Sequence, residues 1–118
     1  MKHRLSRQAE RDILRILADT RDMFGPRQVD VYAGIIDRAV LMLADDPFRP
    51  SSTNRGDIRT GVRSMHLDLA ADRRGAAAHK IFFTTRKLRG NENELVILRV
   101  LHESMEPRQR IGDHLKPR

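Results

Sequence analysis

Two amphipathic stretches meet end to end at Gly25-Pro26, and that junction constrains the fold more than any other feature of the chain. Ser6 is a helix N-cap by type, and Ala9, Ile13, Ile16, Leu17 and Thr20 recur at helical spacing behind it, so Arg7 to Phe24 is predicted to be an amphipathic helix. Gly25 can take the left-handed conformation that ends a helix, and Pro26 suits the first turn of the next. The second helix runs from Pro26 to about Ala44, with Val29, Tyr32, Ile36, Ala39, Val40 and Leu43 on one face, and stops at Asp45-Asp46-Pro47. A tight helical hairpin results, and its two apolar stripes need covering.

The remaining segments supply the cover. Met1 to Leu5 can pair as a strand. PFRPSSTNRGDIRTG, residues 47–61, reads as an irregular basic connection. Three extended segments follow: Val62 to Leu69, with Met65, Leu67 and Leu69 alternating; His79 to Thr85, aromatic and β-branched; and Glu94 to His102, with Val96, Leu98 and Val100 alternating. Joined by AADRRGAAA and RKLRGNEN, they form an antiparallel meander. The expected fold is α+β: a small, mostly antiparallel sheet with the two-helix hairpin packed on one face, in the order β-α-α-β-β-β. Residues 1–111 are expected to make a single domain, and residues 112–118 to be a basic tail. The final stretch, EPRQRIGDHLKPR, is expected to fray.

Length and charge narrow the function classes. A chain of 118 residues can bury a core without staples, and the absence of Cys excludes disulfides, thiolate metal sites and cysteine nucleophiles. The N-terminus MKHRLSRQAERD has no apolar signal region, and no stretch reaches the roughly 20 apolar residues of a membrane span, so a cytoplasmic location without membrane association is expected. Residues 1–46 carry eight Lys/Arg against eight Asp/Glu, whereas residues 47–118 carry fifteen against eight, so the whole net charge of +7 lies in the second part. Of the 23 basic residues 19 are Arg, whose planar fork suits carboxylate and phosphate. An acidic partner follows: nucleic acid, an acidic protein segment or an anionic membrane surface.

Motifs for chemistry are few. His102-Glu103-Ser104-Met105-Glu106 begins like a zinc-protease signature but lacks the second His one turn on, and the His residues at 3, 66, 79, 102 and 114 show no ligand spacing. No metal and no cofactor are expected, and each His is read as a surface or strand-end residue. GxSxG, GxxxxGK[ST] and GxGxxG are all absent, which removes the serine-hydrolase, P-loop and dinucleotide readings. Arg63 and Arg99 stand out among the arginines. Arg63 shares its alternation face with Met65 and Leu67, and Arg99 with Ile97 and Leu101, so both are expected to be partly buried and to find a carboxylate or another partner group. Aromatic residues make up only 4% of the chain, and of the adjacent Phe82 and Phe83 at most one can face outward, which weakens an RNA-reading sheet.

With the residues laid out in this way, the sequence resembles the ParE/RelE superfamily of type II toxin-antitoxin toxins, on its ParE side. The likeness is carried by LSRQAERDILRI in the first helix, FGPRQVDVY at the hairpin, LADDPFRP at the end of the second helix, DIRTGVRSMHL, HKIFF, and VILRVLHESMEPRQRI at the end. It implies a toxin neutralised by a cognate antitoxin, ParD-like or similar, with an acidic amphipathic tail, and for ParE-like members DNA gyrase as the target. The alternative is a RelE-like ribosome-dependent mRNA endonuclease, in which His66 or His102 would work with Arg63 and Arg99; a degenerate toxin that only binds its antitoxin is a third possibility. The loop from Asp68 to His79 is longer than is usual in the family, and HESME stands where Gly or a basic residue more often follows the His. The residues expected to meet target or antitoxin are Arg63, Arg99, His102, Met105, Arg108 and Arg110, on the view that the exit from the last strand projects.

Overall fold

A computed structural model describes residues 1–112 of the chain. The helices fall where the apolar spacing puts them: α1 is Arg7–Phe24 and α2 is Pro26–Asp45. The Ser6 hydroxyl accepts the Ala9 N–H at 3.0 Å and donates to the Leu98 carbonyl at 2.8 Å, so one side chain both starts α1 and ties it to the sheet. Gly25 has φ of 91° and ψ of 170°, a more extended conformation than the left-handed one expected, and still one essentially reserved for glycine. It aims Pro26 directly into α2.

The strands are β1 (Lys2–Leu5), β2 (Thr53–Asn54), β3 (Arg63–His66), β4 (His79–Lys87) and β5 (Asn93–His102), in the sheet order β1-β5-β4-β3-β2. β1 is parallel to β5 and every other pairing is antiparallel. Both helices pack on one face, where Ala9, Ile16, Ile36 and Leu43 meet Met65, Ile81, Phe83, Leu95 and Ile97. The α+β layout expected from the sequence is therefore the one observed.

Four local expectations need correction. Residues 47–61 are not wholly irregular, because Thr53–Asn54 pairs with Ser64 and Arg63 and adds an edge strand. The strand expected over Val62 to Leu69 ends at His66: its imidazole accepts the Asp68 N–H at 3.1 Å and turns the chain into a 3-10 helix, Leu67–Ala70, which buries Leu67 and leaves Leu69 exposed. On β5 a bulge separates the pairs Phe82–Arg99 and Phe83–Ile97, so Leu98 is an extra residue and the alternation is broken. Ile97 and Val100 thus both join the helix-side core while Leu101 joins the opposite cluster, and Arg99 does not share one face with Ile97 and Leu101.

The fourth correction concerns the exit from β5. The segment does not project; it folds back as a π-helical turn, Arg108–Gly112, and buries Ile111 against Phe82 and Leu101 on the sheet face away from the helices. Phe82 is the outward-turned member of its aromatic pair, yet it is only 2% exposed because Ile111 covers it. The basic tail expected over 112–118 lies, from residue 113 onward, outside the described residues.

Candidate functional site

The topology brings the last residue of β3, the first of β4 and the last of β5 to one end of the sheet, and all three are histidines: His66, His79 and His102. Tyr32, on the buried face of α2, reaches the same end. Its hydroxyl lies 2.5 Å from His79 Nδ1 and accepts the Ala78 N–H at 3.2 Å, so the phenol O–H donates to the imidazole. The rings of Tyr32 and His79 meet edge to face with centroids 5.6 Å apart, and His79 and His102 repeat the arrangement at 5.4 Å.

The hydrogen bonds fix the tautomers. His79 Nδ1 accepts from Tyr32, His66 Nδ1 accepts the Asp68 N–H, and His102 Nδ1 accepts the Ser104 N–H at 3.1 Å with the Ser104 hydroxyl 2.7 Å away. Each ring therefore carries its proton on Nε2. That of His66 is donated to Glu103 Oε2 at 2.6 Å, which holds the Glu103 carboxyl below its ordinary range. Burial, reinforced by His102, lowers the pKa of His79, and burial raises that of Tyr32. In all three rings the Nδ1 atom is already engaged by a donor from its surroundings.

Beside it runs a groove of about 660 Å³ between the hairpin tip and the loop 71–78, with Met23, Phe24, Arg73 and Ala76 on its walls and Tyr32, His79 and His102 at its base. The long loop is held at its end by Tyr32, through the Ala78 N–H, and before that by Asp68. Asp68 accepts the N–H groups of Gly75 at 2.8 Å and Ala77 at 2.9 Å, and these two bonds draw its pKa down.

Of the six residues expected at the site, only His102 belongs to this cluster. Arg99 does find its carboxylate, gripping Asp12 of α1 at 2.8 and 2.9 Å, and Asp12 also takes the Val100 N–H, which no strand covers because β1 ends opposite Ile97. Arg63 finds no carboxylate; it donates to the Ser52 hydroxyl and carbonyl and lies 5.3 Å from the centroid of the Phe48 ring. Arg108 pairs with Asp57 at 3.2 Å, while Met105 and Arg110 are exposed. Tyr32 and His79 were missed as partners because 47 residues separate them. The one available signal was a lone Tyr on an otherwise aliphatic helix face, whose hydroxyl must find a partner if buried.

The model of the ParE toxin of the type II toxin-antitoxin system parDE matches residues 4–107. The chain belongs to the ParE toxin family. A solved structure titled YoeB/ParE toxin, from Agrobacterium tumefaciens, is similar at 16% identity and a TM-score of 0.54, covering 87% of this chain and 99% of that one. At that identity the likeness shows the fold alone. No curated protein matches. Among the described residues of this ParE family member no helix is long and apolar enough to cross a membrane, and no group of three or more His, Cys, Asp or Glu could hold a metal ion.

One expected outcome arises from the buried imidazole. The folded state disfavours His79 in its charged form, so the unfolded chain binds more protons below the ordinary value of 6.5. Stability is then fully present above that pH and lost as the pH falls through it. The melting temperature should drop between pH 7 and pH 5.5, and His79→Asn, whose amide oxygen can accept from Tyr32, should flatten that part of the profile. An unchanged slope in the variant would remove His79 as its source.

Proposed function

We propose that this ParE family member inhibits growth by binding its target rather than by cleaving it, that DNA gyrase is the target, and that a cognate antitoxin with an acidic amphipathic tail neutralises it. The observation that carries binding over catalysis is the hydrogen bonding of the imidazole nitrogens. Acid–base cleavage of RNA needs a ring nitrogen able to take a proton near cationic groups that stabilise the phosphate. Here the Nδ1 atoms of His66, His79 and His102 are all engaged, and Arg63 and Arg99 are tied to Ser52 and Asp12. Family membership and the concentration of positive charge beyond residue 46 support gyrase and an acidic antitoxin respectively.

The purified chain should inhibit supercoiling by gyrase and leave message on translating ribosomes intact; cleaved message with unaffected supercoiling would reverse the assignment to the RelE-like endonuclease. A small protein encoded in the neighbouring reading frame, with an acidic amphipathic C-terminal half, should co-purify with the chain and relieve its toxicity. We place the target-facing surface at His102, Met105, Arg108 and Arg110, now as a docked face. Replacing Arg108 and Arg110 together with Ala should weaken target binding several-fold with little change in melting, since exposed charges act on association more than on stability. Full toxicity of that double variant would move the surface elsewhere. Loss of all toxicity from His102→Ala, with melting and antitoxin binding intact, would instead favour a catalytic His.

A further inference from the structure

α1 carries four arginines, and three of them stand in its first half at positions 7, 11 and 15. The spacing of four residues places them along one exposed edge of the helix, about 6 Å apart at a rise of 1.5 Å per residue. This placement works against the helix. Cations are favoured near a helix C-terminus and disfavoured near its N-terminus, and like charges four residues apart repel. Among the described residues none of the three makes an ion pair. Two carboxylates lie one turn from Arg15: Asp12 is committed to Arg99 and the Val100 N–H, and the exposed Asp19 makes no ion pair with it. Arg110 extends the patch, because its carbonyl accepts from Arg99 at 3.2 Å and so brings its exposed side chain to the same end of the molecule.

A row of unpaired cations kept at a cost to the helix points to a ligand with a matching row of anions. We propose that Arg7, Arg11 and Arg15, extended by Arg110, bind the phosphate backbone of duplex DNA independently of its sequence. The step of about 6 Å along the helix is of the order of the distance between successive phosphates on one strand, and a guanidinium binds phosphate through paired N–H donors. Leu14 is the large exposed apolar side chain beside the stripe, and no aromatic side chain accompanies it to stack on unpaired bases. Arg110 is shared with the surface placed toward gyrase, but Arg7, Arg11 and Arg15 are not, so the contact would survive failure of the gyrase reading.

The test is fluorescence anisotropy of the purified chain on two short duplexes of unrelated sequence, across a series of salt concentrations. Three chains are compared: wild type, a triple variant with Arg7→Gln, Arg11→Gln and Arg15→Gln, and a charge-matched control with Arg59→Gln, Arg74→Gln and Arg89→Gln, all exposed. The triple variant should lose about 2 to 3 from the slope of log K against log salt on both duplexes, and the control less than about 1. Arg11→Gln alone should lose about 1, which keeps the test open should the triple variant fold poorly. The triple variant should melt no lower than wild type, because relieving the repulsion compensates for the lost side chains. Equal losses in triple variant and control would reduce the effect to net charge and overturn the proposal. Unchanged DNA binding with lost binding to poly-glutamate would overturn it too, making the stripe a face for an acidic protein.

Discussion

Replacing Asp12 with Ala is expected to cost about 3–5 kcal/mol and to lower the melting temperature by more than about 10 °C. The carboxylate is only 13% exposed and the Arg99 side chain 16%, so its removal leaves a nearly buried guanidinium without its counter-charge. It also strips the acceptor from the Val100 N–H, at the place on β5 where β1 has run out. Asp12→Asn should fall between the two, since an amide oxygen can still serve Val100 but carries no charge for Arg99. The double variant Asp12→Leu with Arg99→Met, which removes both charges together, should recover much of the loss. Thermal melts of the four chains decide it; an Asp12→Ala chain within about 1 kcal/mol of wild type would mean the pair is structurally idle.

The second large effect is expected at Ile111. Truncating this 1%-exposed side chain to Ala should cost about 2–4 kcal/mol, because it leaves a cavity over Phe82 and Leu101 that a turn of π-helix cannot easily collapse to fill. Proteolysis should then begin near residues 104–110. Arg108→Ala should leave melting nearly unchanged, because the Arg108 side chain is exposed and Asp57 keeps its paired bonds from Arg55. If Ile111→Ala melts like wild type, the segment is not held by that side chain.

What the sequence disclosed and what it withheld divide by range. Gly25-Pro26, the N-cap Ser6 and the apolar spacing are local signals, and they place both helices to within a residue. Arg99 announced its burial because a charge inside an apolar run must be answered, but its partner lay 87 residues away and no spacing rule reaches that far. The bulge at Leu98 is silent in sequence because Leu suits either face, and it undid the alternation argument one residue later. Ile111 sits in a stretch so polar that composition speaks for a frayed end, and one apolar side chain with a hydrophobic hollow to fill decided otherwise. Tyr32, His79 and His102 come from three elements, and only the assembled sheet end makes them neighbours.

The parallel pairing of β1 with β5 sets a schedule for synthesis. Lys2–Leu5 leaves the ribosome about ninety positions ahead of its partner, residues 94–97. The hairpin can form early from local contacts, whereas the sheet must wait until β5 has emerged and until a loop of nearly the whole chain has been closed. The delay has a structural consequence. Until then the helices stand formed with the apolar face of the hairpin, Ile16, Ile36 and Leu43 among its residues, not yet covered by the sheet.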